Sequence, residues 1–376
     1  MRKLLLRAGG LLLLALIFQS TLLAQSHAPT LAIGTPAPDF KLPGTDGKTY
    51  TLKDFAKAPV LAVLFTCNHC PTAQAYEDRV IQLVKDYGDK GLQMVAISSN
   101  DPSAIRLDEL GYTDLSDTQE EMRIRAKEKN YNFPYLYDGD TQAAANAYGP
   151  VATPHIFIFD KDRNLQYVGR IDDVEKPSGT PKNRDARNAI EAMLAGKPVP
   201  VPITKTFGCS LKWAEKEKGV STERDKWAKE PVSVAMIDEA GIKKLIKNDS
   251  DKLRLINVWA TWCGPCVAEF PDFMTMHHMY RGRDFEFVSI SADSPDKKDK
   301  VLKFLQGKYA SNPNYLINFE DKYKLIEAID PNWQGALPYT ILVEPGGKIV
   351  YAKQGPIDPY QMRKVIVENK YVGRFY

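Results

Sequence analysis

Short apolar runs alternate with amphipathic stretches along most of the chain, a pattern typical of an α/β protein. In the first half, the runs Val60–Phe65, Leu92–Ser98 and Thr153–Phe159 have the length and flanks of buried strands. Asn183–Leu194 places apolar residues at helical spacing and ends before a glycine and a proline, which predicts a closing helix. The first half is therefore predicted to be one unit of buried strands covered by helices.

The second half repeats this order of elements. The runs Leu255–Ala260, Phe285–Ser291 and Leu337–Val343 predict strands, and Asp296–Gln306 and Tyr360–Asn369 predict helices. The length of the chain also suits about two domains. We therefore expect two copies of one α/β unit.

Each half also carries a C-x-x-C pair after its first strand and a proline that opens a later strand. The first cysteine precedes that proline by 87 residues in one half (Cys67 to Pro154) and by 75 residues in the other (Cys263 to Pro338). Proline is normally excluded from central strands because it cannot donate to the hydrogen-bond ladder. The shared order of these residues supports the duplication.

The pair Cys263/Cys266 has the sequence context of a reactive dithiol. Pro265 is tolerated only in the first turn of a helix, so Cys263 is predicted at the helix N-terminus, where unpaired N–H groups and the dipole stabilise a thiolate. Cys266 lies one turn further on, near enough to attack a mixed disulfide formed on Cys263. A structural disulfide or zinc site is the alternative, but zinc would want a second Cys/His pair at ligand spacing, and the nearby His277 and His278 are adjacent.

The run Trp262-Cys263-Gly264-Pro265-Cys266 resembles thioredoxin, and its continuation Glu269-Phe270-Pro271 is more similar to the extracytoplasmic TlpA-like thioredoxins. The resemblance implies a thioredoxin fold in which Pro154 and Pro338 follow cis peptide bonds and lie against the two cysteine pairs. It also implies that Glu269 is buried and moves the proton when the second thiol attacks. The alternative for Glu269 is an exposed side chain favoured by the helix dipole.

The first half has a second resemblance. Its opening segment Gly34–Phe40 and the run Cys70-Pro71-Thr72 resemble the peroxiredoxin (AhpC/TSA) and redoxin families, which implies an N-terminal β-hairpin. A peroxiredoxin has threonine or serine three residues before its peroxidatic cysteine, whereas this chain has Cys67 there. Peroxidase activity at Cys70 is therefore not favoured, and we expect a redoxin-like domain with an incomplete peroxidase signature.

His69 lies directly before the second cysteine of the first pair. A protonated imidazole there would stabilise the Cys67 thiolate and make this pair the more oxidising of the two; the alternative is a solvated histidine without a role. A zinc site made by Cys67, Cys70, His69 and His155 is not favoured, because a histidine between the cysteines is poorly placed for joint ligation. We expect no metal, and no cofactor besides the cysteine pairs.

Between the halves, a proline-spaced segment starts at Lys197 and leads to Cys209 and the charged stretch Ala214–Lys229. Alternating prolines predict a semi-rigid spacer, and the charged stretch is predicted as a solvated helix rather than a linker. Cys209 is open to three interpretations, because sequence does not give connectivity. It is a resolving thiol for the first half, a relay between the halves, or an unpaired structural cysteine.

The first residues predict a secretory signal peptide. Arg2, Lys3 and Arg7 precede an apolar core at Leu11–Phe18 that is too short to span a membrane, and a cleavage site follows Ala24. An uncleaved membrane anchor is the alternative. We expect a periplasmic or otherwise extracytoplasmic protein whose cysteines meet an oxidising compartment.

Composition narrows the function classes. Apolar residues make up 44% and charged residues 26% of the 376 residues, as in globular proteins. The formal charge of +3 comes from 50 basic and 47 acidic residues spread along the chain, without a basic block that would indicate nucleic-acid binding. The odd number of cysteines, five, argues against a purely structural disulfide framework.

The sequence thus predicts an α/β protein with two thioredoxin-like domains in tandem, each a central mixed sheet flanked by helices. The predicted divisions are a signal peptide (1–24), a redoxin-like domain (29–197), a linker (198–230) and a TlpA-like domain (231–376). The predicted function is thiol–disulfide exchange with disulfide- or dithiol-bearing proteins through both cysteine pairs, together with a membrane or periplasmic thiol redox partner. The alternatives are a peroxidase that uses Cys70 and a client-binding protein without catalysis.

Overall fold

The computed structural model describes residues 28–176 and 178–375. The predicted signal peptide lies outside these residues. Within the described part of the chain, no helix is both long and apolar enough to cross a bilayer.

The first half is built around a five-stranded mixed sheet that follows a short hairpin. The hairpin, implied by the redoxin resemblance, pairs β1 (Lys41–Pro43) with β2 (Thr49–Thr51). The sheet contains β3 (Val60–Phe65), β4 (Leu92–Ser98), β5 (Tyr135–Tyr137), β6 (His155–Phe159) and β7 (Leu165–Gly169). Its strand order is β5-β4-β3-β6-β7, with β3, β4 and β5 parallel and β6 antiparallel to both of its neighbours.

Helices cover both faces of this sheet. They are α1 (Pro71–Tyr87), α2 (Gln119–Glu128), α3 (Ala143–Tyr148) and α4 (Asp185–Leu194). Alternate side chains of β3 enter two separate apolar clusters: Leu61 and Val63 lie in one, and Ala62 and Leu64 in the other. Burial on both faces explains why this strand is a continuous apolar run rather than an alternating one.

The second half repeats the architecture with one more strand. Its strands are β8 (Ala235–Ile237), β9 (Leu253–Trp259), β10 (Phe285–Ser291), β11 (Asn314–Ile317), β12 (Tyr339–Val343) and β13 (Ile349–Gln354), in the order β13-β12-β9-β10-β11-β8. Its helices are α6 (Glu239–Lys247), α7 (Gly264–Tyr280), α8 (Lys298–Gly307), α9 (Lys322–Ile329) and α10 (Pro359–Glu368), preceded by α5 (Glu217–Trp227). The short strands β5, β8 and β11 were absent from the sequence prediction because three or four residues carry too little periodicity to detect.

The two halves pack against each other. Ile105 and Leu110 of the first half lie in the apolar core of the second. The Tyr280 hydroxyl, at the end of α7, donates to the Thr113 carbonyl (2.9 Å). Arg363 of α10 forms a buried ion pair with Glu121 of α2 (3.0 Å). The two halves therefore share both apolar and polar contacts.

The C-terminal part of the segment between the halves is packed against both halves. Leu211 and Trp213 lie in the apolar core of the first half. Trp227, in α5, stacks on His278 of the second half with ring centroids 4.2 Å apart. The helix predicted for the charged stretch is confirmed by α5. Residues 211–227 therefore contact both halves, whereas the semi-rigid spacer at the proline-spaced segment stays a prediction.

Candidate functional site

The second centre lies where β9 passes into α7. Cys263 is the N-cap of α7 and is disulfide-bonded to Cys266, whose own N–H also points to Cys263 Sγ (3.3 Å). Cys266 is fully buried, Cys263 is 7% exposed, and the neighbouring Trp262 is 59% exposed. The predicted helix-terminal position of Cys263 is confirmed, and an incoming thiol or disulfide would meet Cys263 before Cys266.

The backbone beside this centre is open. The Leu337–Pro338 peptide bond is cis, as the thioredoxin resemblance implies. The Leu337 side chain packs against the apolar cluster that contains both cysteines. The Pro338 carbonyl accepts a hydrogen bond from the Gly355 N–H (2.9 Å). Within the described ranges, Leu337 forms no β-bridge, so its backbone is available to an extended chain.

Glu269 is buried and lies in α7, three residues beyond Cys266. One carboxylate oxygen accepts a hydrogen bond from the Ile357 N–H (2.9 Å), and the other lies 3.4 Å from Asn257 Nδ2. Burial raises the pKa of Glu269 to about 7, because few donors compensate the desolvated charge. The expectation of a buried acid is confirmed and the exposed alternative is wrong. Its role in proton transfer stays a prediction.

The first centre differs in where its helix starts. Helix α1 begins at Pro71, so its N-cap is Cys70, whereas the N-cap of α7 is the first cysteine of its pair. The sheet registers agree: Phe65 pairs with the residue after Pro154, and Val258 pairs with the residue after Pro338. Counting five residues on from each strand position leads to Cys70 and to Cys263.

The two C-x-x-C pairs are therefore not equivalent in the fold. By this register, Cys67 takes the place of Ala260, and the place of Cys266 is taken by Ala73. The residue that corresponds to the exposed Trp262 is His69. The sequence prediction had aligned the pairs with each other because both have the same internal spacing.

The charge states of the first pair follow this geometry. Burial, reinforced by the hydrogen bond with Cys70, raises the pKa of the Cys67 thiol well above its usual range. Burial also opposes ionisation of Cys70, but hydrogen bonds with Cys209 and Cys67 and the charge of His69 lower the pKa of Cys70 well below its usual range. The prediction that His69 stabilises a Cys67 thiolate is therefore wrong, and the stabilised thiolate is that of Cys70.

His69 is held by a buried carboxylate that the sequence analysis did not identify. Its Nδ1 lies 2.6 Å from Asp117 Oδ2. Burial alone would lower the pKa of His69, but the Asp117 carboxylate raises it. Asp117 also accepts from the backbone N–H groups of Asn68 (2.8 Å) and His69 (3.1 Å) and from Asn100 Nδ2 (2.7 Å). His69 is only 3% exposed, so the interpretation as a solvated histidine is also wrong.

An equivalent carboxylate supports the second centre. Asp293 accepts from the Thr261 N–H (2.8 Å) and hydroxyl (2.6 Å) and from the Ser291 hydroxyl (2.7 Å). Thr261 occupies the register position of Asn68, the residue whose N–H is bound by Asp117. Each centre thus has one acid that fixes the loop before its N-cap cysteine.

The ligand atoms of Cys67, His69 and Asp117 lie within 4.8 Å of one another, close enough to hold a cation. Both oxygens of Asp117 are, however, already engaged by two protein donors each, so a cation would have to displace these bonds. His155 is not part of this group: its Nδ1 accepts from the Val151 N–H (3.3 Å), and burial lowers its pKa to about 4. The arrangement fits a hydrogen-bonded histidine–carboxylate pair better than a metal centre.

Cys209 belongs to the first centre. The Thr153–Pro154 bond is cis, as predicted. The Thr153 N–H donates to the Cys209 carbonyl (2.9 Å), and the Cys209 N–H donates to the Thr153 carbonyl (3.2 Å). Cys67 Sγ lies 3.3 Å from the Thr153 hydroxyl, and Cys70 Sγ lies 3.2 Å from the Thr153 carbonyl oxygen. Cys209 packs against both cysteines and is the most exposed of the three.

Two mixed sheets of one topology, each with an N-cap cysteine after its central strand and a cis proline before the antiparallel neighbour, define a tandem thioredoxin-fold protein. Residues 33–168 match the AhpC/TSA family and residues 231–366 match the Redoxin family. The chain is thus an AhpC/TSA-type domain followed by a redoxin-type domain. The narrower TlpA-like assignment of the second half stays a prediction.

Individual relatives are similar over part of their length. Thiol-disulfide oxidoreductase ResA of Bacillus subtilis (strain 168) is 27% identical over 27% of this chain and 51% of its own length. Thiol:disulfide interchange protein CycY of Rhizobium leguminosarum bv. viciae is 31% identical over 31% of this chain and 57% of its own length. The chain spans about half the length of these curated relatives.

Among solved structures, a hypothetical protein from Sinorhizobium meliloti 1021 is 36% identical, with a TM-score of 0.45, over 50% of this chain and 97% of its own. An uncharacterized conserved protein from Geobacillus kaustophilus is 38% identical, with a TM-score of 0.43, over 48% of this chain and 92% of its own.

Proposed function

We propose that the protein is a thiol–disulfide oxidoreductase whose second centre exchanges disulfides with cysteine-bearing proteins. The observation that carries the proposal is the N-cap Cys263, bonded to the buried Cys266 and placed between the exposed Trp262 and the unpaired backbone of Leu337. An extended client chain can pair with that backbone and bring its own sulfur to Cys263. The similarity to the thiol-disulfide oxidoreductase ResA and the thiol:disulfide interchange protein CycY supports the same class of reaction.

The proposed reaction starts from the reduced pair. The Cys263 thiolate attacks one sulfur of a client disulfide, and the other client sulfur leaves as a thiolate. Cys266 then attacks Cys263 Sγ in the mixed disulfide, which releases the second client thiolate and forms the Cys263–Cys266 bond. Glu269, with a pKa of about 7, is suited to accept the Cys266 proton near neutral pH. The client is reduced and the pair oxidised; partner potentials set the direction.

The first centre is proposed to carry out related chemistry with Cys70 as its nucleophile. Its position at the N-cap of α1 and the hydrogen bonds that lower its pKa support this assignment. Cys67 and Cys209 are the two neighbouring thiols that can resolve a mixed disulfide on Cys70. The proposal includes export from the cytoplasm and a thiol redox partner in the membrane or periplasm. Both parts rest on the signal peptide that the N-terminal sequence predicts.

Client trapping tests the proposed function. The Cys266→Ser variant lacks the thiol that resolves a mixed disulfide on Cys263. Mixed disulfides with clients should therefore accumulate, and a reductant should cleave them. Cys263→Ser is the matched control, because it keeps one cysteine of the pair and lacks the nucleophile. Equal adduct formation by the two variants would contradict the proposal. Client binding that survives the loss of both cysteine pairs would support a binding protein instead.

Peroxide reduction at Cys70 is a second candidate, favoured by two observations. Cys70 caps α1 with a lowered pKa, and residues 33–168 match the AhpC/TSA family. The absence of the threonine or serine at position 67 argues against efficient peroxide orientation. Steady-state consumption of hydrogen peroxide that is lost in Cys70→Ser and retained in Cys263→Ser would establish it. A rate no higher than that of free thiols would remove it.

A further inference from the structure

A segment of the chain itself lies across the first centre. The Cys209 strand, defined here as residues 207–212, pairs with Thr153 through both backbone hydrogen bonds of Cys209. Beyond Cys209, Leu211 enters the apolar core, and the Lys212 N–H donates to Asn100 Oδ1 (2.8 Å). Lys212 Nζ forms an ion pair with Glu109 (2.6 Å). The strand is therefore anchored and is not a loosely attached linker.

Gly208 shows how closely the strand approaches. Its φ of +139° lies in the region that L side chains rarely adopt, and a Cβ placed on it would lie 2.0 Å from the Thr153 carbonyl oxygen. Only glycine therefore allows the backbone to sit against Thr153. Leu337 is the position in the second half that is equivalent to Thr153, and it carries no such bridge among the residues described.

We propose that Cys209 is the built-in exchange partner of Cys70, so that oxidation of the first centre yields a Cys70–Cys209 disulfide. The geometry points to this pair because the Cys209 strand holds its thiol in contact with Cys70 and fills the position at which the second centre leaves its backbone open. The inference deepens the proposed exchange at the first centre and rests on it. Cys67, which is more buried than Cys209, then resolves a mixed disulfide on Cys70 only when Cys209 does not.

The reaction balances with a small disulfide such as oxidised glutathione. The Cys70 thiolate attacks one glutathione sulfur, forms a Cys70–glutathione bond and expels the other glutathione as a thiolate. Cys209 then attacks Cys70 Sγ, expels the second glutathione, and transfers its proton to a departing thiolate. Two electrons pass from the cysteine pair to glutathione. In reverse, an external thiolate attacks the more exposed Cys209 sulfur and expels Cys70, whose stabilised thiolate is a good leaving group.

Disulfide mapping of the full chain tests the inference. The reduced protein is treated with oxidised glutathione, alkylated and digested with trypsin, which places Cys67 and Cys70 in peptide 58–79 and Cys209 in peptide 206–212. A cross-link between these peptides is expected in the wild type and in Cys67→Ser. The yield of this cross-link should fall about tenfold or more in Cys70→Ser. Formation of a Cys67–Cys70 disulfide with Cys209 freely alkylated would overturn the inference. If neither disulfide forms, exchange at the first centre is itself absent, and the proposed function of that centre falls with it.

A second pair of variants leaves every cysteine in place. Gly208→Ala should push the strand away from Thr153, lower the cross-link yield about tenfold and speed alkylation of Cys209. Gly196→Ala is the matched control: it also has a positive φ, but no atom lies within 4 Å of its added Cβ. Circular dichroism and urea unfolding check that both variants fold. An unchanged cross-link yield in a folded Gly208→Ala would overturn the inference.

Discussion

The two cysteine centres occupy the same place in two copies of one fold, yet they are built differently. The second centre lies in an apolar cluster beside an open backbone at Leu337. Its one acid, Glu269, has a raised pKa that favours the neutral form. The first has a buried histidine–carboxylate pair, His69 and Asp117, and its groove is filled by the Cys209 strand. One copy is therefore arranged to receive another chain, and the other already contains a segment of its own.

The comparison also shows what a motif spacing can and cannot tell. Both halves contain C-x-x-C, but the helix starts at the first cysteine in one and at the second cysteine in the other. The helix N-terminus stabilises a thiolate most strongly on the residue that caps it. The position of the following proline decides this: Pro71 comes directly after Cys70, whereas Pro265 comes two residues after Cys263.

The largest expected effect breaks the apparent equivalence of the two pairs. In a background of Cys263→Ser with Cys266→Ser, which silences the second centre, Cys70→Ser should slow exchange with a small disulfide by about a thousandfold. Cys67→Ser should slow it far less, because the Cys70 thiolate and Cys209 remain. The ultraviolet absorbance of the thiolate at neutral pH should follow the same order. A greater loss in Cys67→Ser would restore the symmetric interpretation of the pairs.

The next effect compares the two supporting acids. Asp117→Asn leaves His69 and three other donors without a carboxylate, so a loss of about 3–5 kcal/mol in unfolding free energy is expected. Asp293→Asn removes an acceptor from neutral donors only, and about 1–2 kcal/mol is expected. Urea unfolding of both variants measures the difference. Equal losses would mean that the His69 charge contributes nothing to the first centre.

A pH-dependent effect is expected at the second centre. The pKa of Glu269 is raised from 4.5 to about 7 in the folded protein, so the folded state holds a proton that the unfolded state has lost. Stability from this group is therefore complete below about pH 4.5 and falls as pH rises to about 7. Glu269→Gln removes the dependence and should be more stable than the wild type by about 2 kcal/mol at about pH 8.

Unfolding of the oxidised protein at about pH 4 and about pH 8 measures this change. No difference between Glu269→Gln and the wild type is expected at the acidic pH, where both states carry the proton. A constant offset at both pH values would indicate a packing effect rather than a titration.

The smallest effect on stability concerns the exposed rim of the second centre. Trp262→Ala should change unfolding free energy by less than about 0.5 kcal/mol, because 59% of the side chain is already exposed. Client trapping in a Cys266→Ser background should nevertheless weaken. His69, at the corresponding position of the first half, is buried, and its replacement should be destabilising. Similar stability losses at the two positions would contradict the contrast in burial between them.

The architecture could be predicted from the sequence because the signals for its elements are local and occur in both halves. Long apolar runs such as Val60–Phe65 and Phe285–Ser291 became strands with the predicted bounds, and both proline positions proved to be cis. Asp117 could not be found in this way, since it acts on residues 48 and 49 positions earlier in the chain. The same holds for the pairing of Cys209 with Thr153, which depends on tertiary packing. The start of α1 at Pro71 was available from the sequence and was outweighed by the C-x-x-C spacing.

Helix α7 has a consequence for any attempt to divide the protein. Its first residue follows Cys263, and its last residue, Tyr280, bonds the Thr113 carbonyl in the loop that leads to Asp117. Seventeen residues of helix, about 25 Å, thus connect the entrance of one centre to the support of the other. Cutting the chain between the halves would strip Ile105 and Leu110 of their cover. The two sheets are therefore best regarded as a single cooperative folding unit, and its chemistry as separable by point substitution but not by excision.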